Sequence, residues 1–210
     1  MNTIQNVEIW ENSTQRYINV HKSGSTTIRS CLKQTYTDIK IAVDPGVYSD
    51  QSSITWTTLR DPYDRFINAL SYDLGLVGMD VSENNIKQVA GTDKLLRDYI
   101  YGLSNPYYRG RGTIRHSMLQ SSYLFDNRLD VYVDIKDLNI FCAMHFPEVE
   151  LPPEGLNTGV KKNIDIVHKF FQENPMLNNS VYNLLYLDRF TMHRLDALDK
   201  RWHWANGVIF

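Results

Sequence analysis

Residues 17–32 read YINVHKSGSTTIRSCL. Tyr17-Ile18-Asn19-Val20 is a β-prone run, and Ile28 to Leu32 has the character of a helix. Between them, His21-Lys22-Ser23-Gly24-Ser25-Thr26-Thr27 packs a lysine, a glycine and several hydroxyls into a tight turn. A helix start presents N–H groups that lack intrahelical acceptors, together with the positive end of the helix dipole. Gly24 lets the backbone approach a ligand and Lys22 adds a full charge, so strand, turn and helix make a socket for phosphate or sulfate. The Walker A pattern GxxxxGK[ST] is absent, because here the lysine precedes the glycine.

A second strand-to-helix passage follows at 54–70, ITWTTLRDPYDRFINAL. Ile54, Trp56 and Thr58 alternate along a strand that Leu59 ends, and Arg60-Asp61-Pro62 breaks it. Pro62 suits the first turn of the next helix. Arg60 stands at the carboxyl end of the strand, where open α/β sheets place ligand-binding groups, and a guanidinium there clamps phosphate in bidentate fashion. Two anion-binding turns thus lie 38 positions apart on two strands of one sheet.

Together these segments resemble the paired signatures of sulfotransferases that use 3′-phosphoadenosine 5′-phosphosulfate (PAPS). In that family a PKxGxT or HKxGxT loop holds the 5′-phosphosulfate and an xRDPxxRxxSA segment holds the 3′-phosphate. The resemblance implies that Lys22, Ser23, Gly24, Ser25, Thr26 and Thr27 bind the phosphosulfate, and that Arg60 and Asn68 bind the 3′-phosphate. Asn68 replaces the usual serine, though its amide still donates hydrogen bonds. A thinner similarity to the carbohydrate branch runs from His116 to Gln120, with Leu119 in place of proline, and on through Tyr123-Leu124 to Val131–Leu138. Asn157-Thr158 with Lys161-Lys162, and Tyr186-Leu187-Asp188, resemble later elements of that branch.

Composition sets the outer bounds. The 210 residues suffice for one α/β domain, and 42% hydrophobic with 22% charged residues is ordinary for a globular chain. A formal net charge of −2 gives no global field to draw in nucleic acid or an acidic membrane. No run of 18 apolar residues suggests a membrane span, and the first residues lack the apolar core of a signal peptide. Cys31 and Cys142, far apart in sequence, read as reduced thiols in a cytoplasmic protein, with Cys31 as core packing.

The chain reads as one domain over residues 1–210, without repeats or linkers. Expected strands are Val7–Trp10, Tyr17–Val20, Ile39–Val43, Trp56–Leu59 and Val131–Asp134. Expected helices run from the Arg60 turn to about Tyr72, over Asn84–Tyr101 with an interruption at Gly91, and over Leu138–Phe146, Ile164–Phe171 and Ser180–Leu198. Loops are expected at 102–113 and 151–162. The alternation argues for an α/β fold with a mainly parallel sheet flanked by helices. The resemblance adds that it is P-loop-like, of the sulfotransferase and nucleotide-kinase kind.

Each candidate residue has a plainer reading beside the functional one. Lys22 is a solvated lysine or the charge that offsets the leaving bridging oxygen. Ser25 and Thr26 cap the helix, bind the anion, or do both. Arg60 pairs with Asp61 or Asp64, or clamps phosphate, and Arg65 is an i,i+4 partner of Asp61. A sulfuryl acceptor must lose a proton, so a base is required. His116 is the preferred candidate, with His21, Asp44 and Asp50 as reserves. His145, before Phe146-Pro147 at a helix end, reads as a cap of carbonyls, and His168, His193 and His203 read as packing or surface residues. Tyr107, Tyr108, Arg109, Arg111 and Arg115 form a solvated loop or an acceptor platform, with Gln120 also holding the acceptor.

The expected function is transfer of the sulfuryl group of PAPS to a hydroxyl, on a carbohydrate, releasing 3′-phosphoadenosine 5′-phosphate (PAP) with no metal. Two alternatives remain: a nucleotide-dependent phosphotransferase, disfavoured by the missing Walker A loop, and a binder that keeps the nucleotide pocket without the chemistry. Neither nucleic acid nor membrane is expected as a partner.

Overall fold

A computed structural model describes residues 7–42, 53–76, 78–101, 116–117, 119–124, 129–151 and 158–207. Five strands are described: β1 (Ile9–Glu11), β2 (Gln15–Ile18), β3 (Lys40–Ala42), β4 (Ile54–Leu59) and β5 (Val131–Asp134). The described helices are α1 (Ser25–Thr35), α2 (Pro62–Leu76), α3 (Glu83–Ala90), α4 (Asp93–Ile100), α5 (Gln120–Leu124), α6 (Leu138–His145), α7 (Thr158–Glu173), α8 (Pro175–Leu184) and α9 (Tyr186–Ala197). The chain divides into two compact units. The first comprises residues 1–60, 120–153 and 191–210, and the second comprises 61–119 and 154–190.

The first unit holds the sheet, in the order β3-β1-β2-β4-β5. β2 pairs with β4, and β4 with β5, in parallel, whereas β1 is antiparallel to both β2 and β3. The sheet is therefore mixed, not mainly parallel. The cause is local. Asn12 Oδ1 accepts from the backbone N–H groups of Thr14 and Gln15 at 3.0 Å, closing a turn directly after β1. A connection that short allows only antiparallel pairing. β2 also starts two residues earlier than the apolar run suggested.

β4 is covered on both faces. Thr55, Trp56, Thr57, Thr58 and Leu59 are all buried, as expected for the interior of a parallel sheet. Its polar groups find partners: Thr57 Oγ1 donates to the Ile18 carbonyl at 2.7 Å, Tyr17 and Thr58 share a hydrogen bond at 3.0 Å, and Trp56 Nε1 donates to Gln15 Oε1 at 3.0 Å. Trp10, Tyr17, Trp56, Val133, Phe141, Phe146 and Trp202 join α1 and α6 in one apolar cluster. Within it the free thiols of Cys31 and Cys142 meet at 4.0 Å. The chain near its C-terminus runs beside β5. Tyr132 N–H donates to the Lys200 carbonyl and Trp202 N–H to the Tyr132 carbonyl, each at 2.8 Å.

The second unit is helical and has its own apolar cluster, built by Phe66, Leu70, Leu74, Ile86, Leu96, Tyr99, Phe170 and Phe171 among others. The interruption expected at Gly91 within Asn84–Tyr101 separates α3 from α4: Gly91 caps α3, and the Thr92 hydroxyl accepts from Leu95 N–H at the start of α4. α7 begins at Thr158, so the expected loop at 151–162 is helical over its last residues. The helix expected at 180–198 is likewise two, α8 and α9. Among the described residues no helix is long and apolar enough to cross a membrane.

His145 lies at the end of α6, packed on Phe141 with ring centroids 4.3 Å apart and on Trp202 at 5.9 Å. Burial pushes its imidazole down from 6.5 to about 4. Between those values the unfolded chain binds the proton and the folded chain does not, so stability falls as pH drops through the window. The loss should approach roughly 3 kcal/mol. Urea midpoints taken at pH 7.5, 5.5 and 4.5 should fall less steeply in His145→Leu than in the wild type; equal slopes would show that His145 does not carry the effect.

Candidate functional site

The two turns singled out by sequence both leave the sheet of the first unit at the same edge. β2 and β4 are parallel neighbours, with Ile18 opposite Thr57, so the chain departs from Ile18 and from Leu59 in the same direction. This is the carboxyl end of parallel strands, where α/β sheets collect ligands.

In the first turn Lys22 has φ 64° and Gly24 has φ 83°. For lysine, which has a Cβ, the left-handed region costs about 1–2 kcal/mol. Gly24 is the N-cap residue of α1; no side chain caps that helix, and its first turn holds no acid. The leading N–H groups, at Ser25, Thr26 and Thr27, precede any intrahelical acceptor, so they face outward as donors. Ser23 and Ser25 are buried, Lys22 is half-buried and Thr26 is exposed. Gly24 also has a packing reason to be glycine: a Cβ there would lie 2.6 Å from Leu138 Cδ2 and 2.7 Å from Ile135 Cδ1. Its lack of a side chain lets the turn seat on the corner between β5 and α6.

In the second turn Arg60 is half-buried. Asp61 Oδ1 accepts from Tyr63 N–H at 2.9 Å and Asp64 N–H at 3.0 Å, capping α2 ahead of Pro62. The two turns are tied by Gln120, the first residue of α5. Its Oε1 accepts from Ser23 Oγ at 3.1 Å and from Arg60 N–H at 3.0 Å, and its Nε2 donates to the Arg60 carbonyl at 2.7 Å. The sequence suggested that Gln120 holds an acceptor; within the protein its amide bonds the Ser23 side chain and the Arg60 backbone.

His116 belongs to the second unit. Its Nδ1 lies 2.6 Å from Asp73 Oδ1, and its ring meets the edge of Tyr72 at 5.1 Å. Asp73 is buried, at 2% exposure, and its other oxygen accepts from Tyr99 Oη at 2.8 Å. A carboxylate on Nδ1–H leaves the imidazole lone pair at Nε2, the arrangement that orients a general base. Sequence reading missed Asp73. The available signal was an acid at a core-facing position of the helical period, beside Leu70 and Leu74.

The other expectations scatter. Asn68 Nδ2 donates to the Asp64 carbonyl of its own helix at 2.8 Å, and Arg65 is buried. His21 meets Tyr123 edge-on at 6.0 Å, His168 meets Tyr63 likewise, and His193 and His203 are exposed. Tyr107, Tyr108, Arg109, Arg111 and Arg115, with Asp44, Asp50 and Asn157, lie outside the described residues. Comparison of the chain with protein-family models, with curated proteins and with solved structures finds no match.

The backbone geometry of the first turn makes three variants informative. Lys22→Gly should be more stable than Lys22→Ala by about 1 kcal/mol, because glycine takes φ 64° without strain. Gly24→Ala should destabilise by about 3 kcal/mol, from the positive φ and the overlap with Leu138 and Ile135 together. Denaturant melts of the three variants check both; a Gly24→Ala protein as stable as the wild type would contradict the packing just described.

Proposed function

We propose that this chain is a PAPS-dependent sulfotransferase that moves a sulfuryl group to a hydroxyl, on a carbohydrate acceptor, in a P-loop-like fold. One observation carries the reading. Two turns of anion-binding character, one with Lys22 at an uncapped helix start and one with Arg60, leave adjacent parallel strands at the same edge. A nucleotide with phosphates on both its 5′ and 3′ positions calls for two such turns, and a plain nucleoside triphosphate calls for one.

In this reading the acceptor oxygen attacks sulfur as the bond from sulfur to the bridging phosphate oxygen breaks. The acceptor proton passes to a base, and PAP leaves. Lys22 and the N–H groups of Ser25, Thr26 and Thr27 offset the charge that grows on the departing oxygen. Ser23 contributes its backbone to the same loop, since its hydroxyl bonds Gln120. Arg60 takes the 3′-phosphate, remote from the chemistry, and Asn68 assists through what its amide still offers. His116 is assigned the proton, at Nε2, because Asp73 holds Nδ1. Tyr108, Arg109 and Arg115 are proposed for the acceptor.

PAP should raise the melting temperature without added metal, as mass action requires of a ligand bound only by the folded chain. ATP with Mg²⁺ should do much less, and the reverse order would replace this reading with a phosphotransferase. Lys22→Ala should reduce turnover more than PAP affinity, and Arg60→Ala should weaken PAP on the order of ten- to a hundred-fold.

The base is tested separately. In a radiosulfate transfer assay over a glycan panel, His116→Ala should lower turnover on the order of a hundredfold while PAP affinity holds. Asp73→Asn should lower it as well, through the wrong tautomer. Near-normal turnover in His116→Ala would move the base to His21, Asp44 or Asp50.

A further inference from the structure

We infer that Gln120 is a positioning residue that couples the two anion-binding turns, so that the chain selects nucleotides phosphorylated at both the 5′ and the 3′ position. The inference rests on the function proposed above and names how that site discriminates. Gln120 is 1% exposed, and its amide is saturated by the protein. Both lone-pair positions of Oε1 are used, by Ser23 Oγ and Arg60 N–H. Nε2 donates to the Arg60 carbonyl at 2.7 Å and lies 3.8 Å from Met192 Sδ. An amide has two acceptor sites and two N–H groups, and here all four directions are engaged.

The arrangement has a specific mechanical consequence. The pair of bonds to Arg60 N–H and C=O grips one residue's backbone on both sides, as a neighbouring strand would, just after Leu59 ends β4. The bond to Ser23 fixes the residue between Lys22 and Gly24, inside the first turn. One side chain therefore sets the spacing of the two turns. Two linked ligand groups gain affinity over single ones only where their receptors stand at a matching, preorganised distance. Each turn alone, with its own backbone donors or guanidinium, needs no such tie to meet one phosphate.

The test uses isothermal titration of the full chain with PAP, adenosine 5′-monophosphate and adenosine 3′-monophosphate. Two variants cut the tie to different depths: Ser23→Ala removes one bond, and Gln120→Leu removes all. Both should lose the preference for PAP over each monophosphate on the order of tenfold, while the monophosphate dissociation constants stay within about twofold. Should Gln120→Leu fail to fold by circular dichroism, Ser23→Ala decides alone. Equal weakening of all three nucleotides would make Gln120 merely structural and overturn the inference, as would an unchanged preference. Those results leave the sulfotransferase reading standing, because the wild type still binds PAP. Failure of the wild type to bind any of the three overturns both.

Discussion

One buried amide governs the geometry on which the candidate site depends. Gln120 sits where two strand ends open into turns, and it bonds the side chain of one and the backbone of the other. Strand ends are otherwise the least constrained part of a sheet, because the ladder of hydrogen bonds stops there. β2 ends at Ile18 and β4 at Leu59, and the turns that follow have no shared ladder to set their distance. Buried polar groups with a full set of partners rigidify a structure, whereas a partly satisfied set is costly. The same bonds that make Gln120 a good clamp would make its loss expensive for Ser23 and Arg60.

The central strand beneath the clamp, β4, is built to keep its shape without a solvent face. β4 carries three threonines among its buried residues, and the hydroxyls of Thr57 and Thr58 are matched to a carbonyl of β2 and to Tyr17. A threonine buried without a partner would weaken the strand by the desolvation of its hydroxyl. Trp56 adds both bulk and a donor, its ring tilted against Tyr17 with centroids 4.7 Å apart while its indole N–H reaches Gln15. On the far edge, β5 is completed by the backbone of Lys200 and Trp202, and Arg201 reaches Asp134 and Asp137 at 3.1 Å. The exposed edge falls to the three-residue strand β3, which carries a lysine.

How much of this was legible follows from where each signal resides. Strand–turn–helix at 17–32 and at 54–70 was readable because hydrophobic runs, Gly24 and Pro62 act locally. The short strand at Val131–Asp134 and the helix from Leu138 were readable for the same reason. The strand at Val7–Trp10 was readable, but its antiparallel pairing was not, because the polar stretch Asn12-Ser13-Thr14 was not read as a hairpin turn. The bonds of Gln120 to the two turns could not be read: its partners there are a backbone and a serine, and neither leaves a pairing code in the sequence. Asp73 was visible only as an acid where the helical period calls for an apolar residue. Gly24 was read as room for a ligand, and the structure gives it a second reason, the nearness of Leu138 and Ile135.

Lys22 shows how the site and the fold pull against each other. A lysine at φ 64° is strained, and a glycine or asparagine would serve the turn better. The strain is tolerable because neighbouring features fix the turn from several directions: Ser23 is held by Gln120, Gly24 rests on the β5–α6 corner, and α1 begins immediately after. Strain of this kind persists where the surroundings over-determine the backbone. The helix start next to it has no side-chain cap from Gly24 and no acid in its first turn. Two local costs, a strained cation and an uncapped helix, fall on adjacent residues of one turn, and a single bound anion would relieve the second while facing the first. That coincidence is a stronger argument for an anion at this turn than the charge of Lys22 alone.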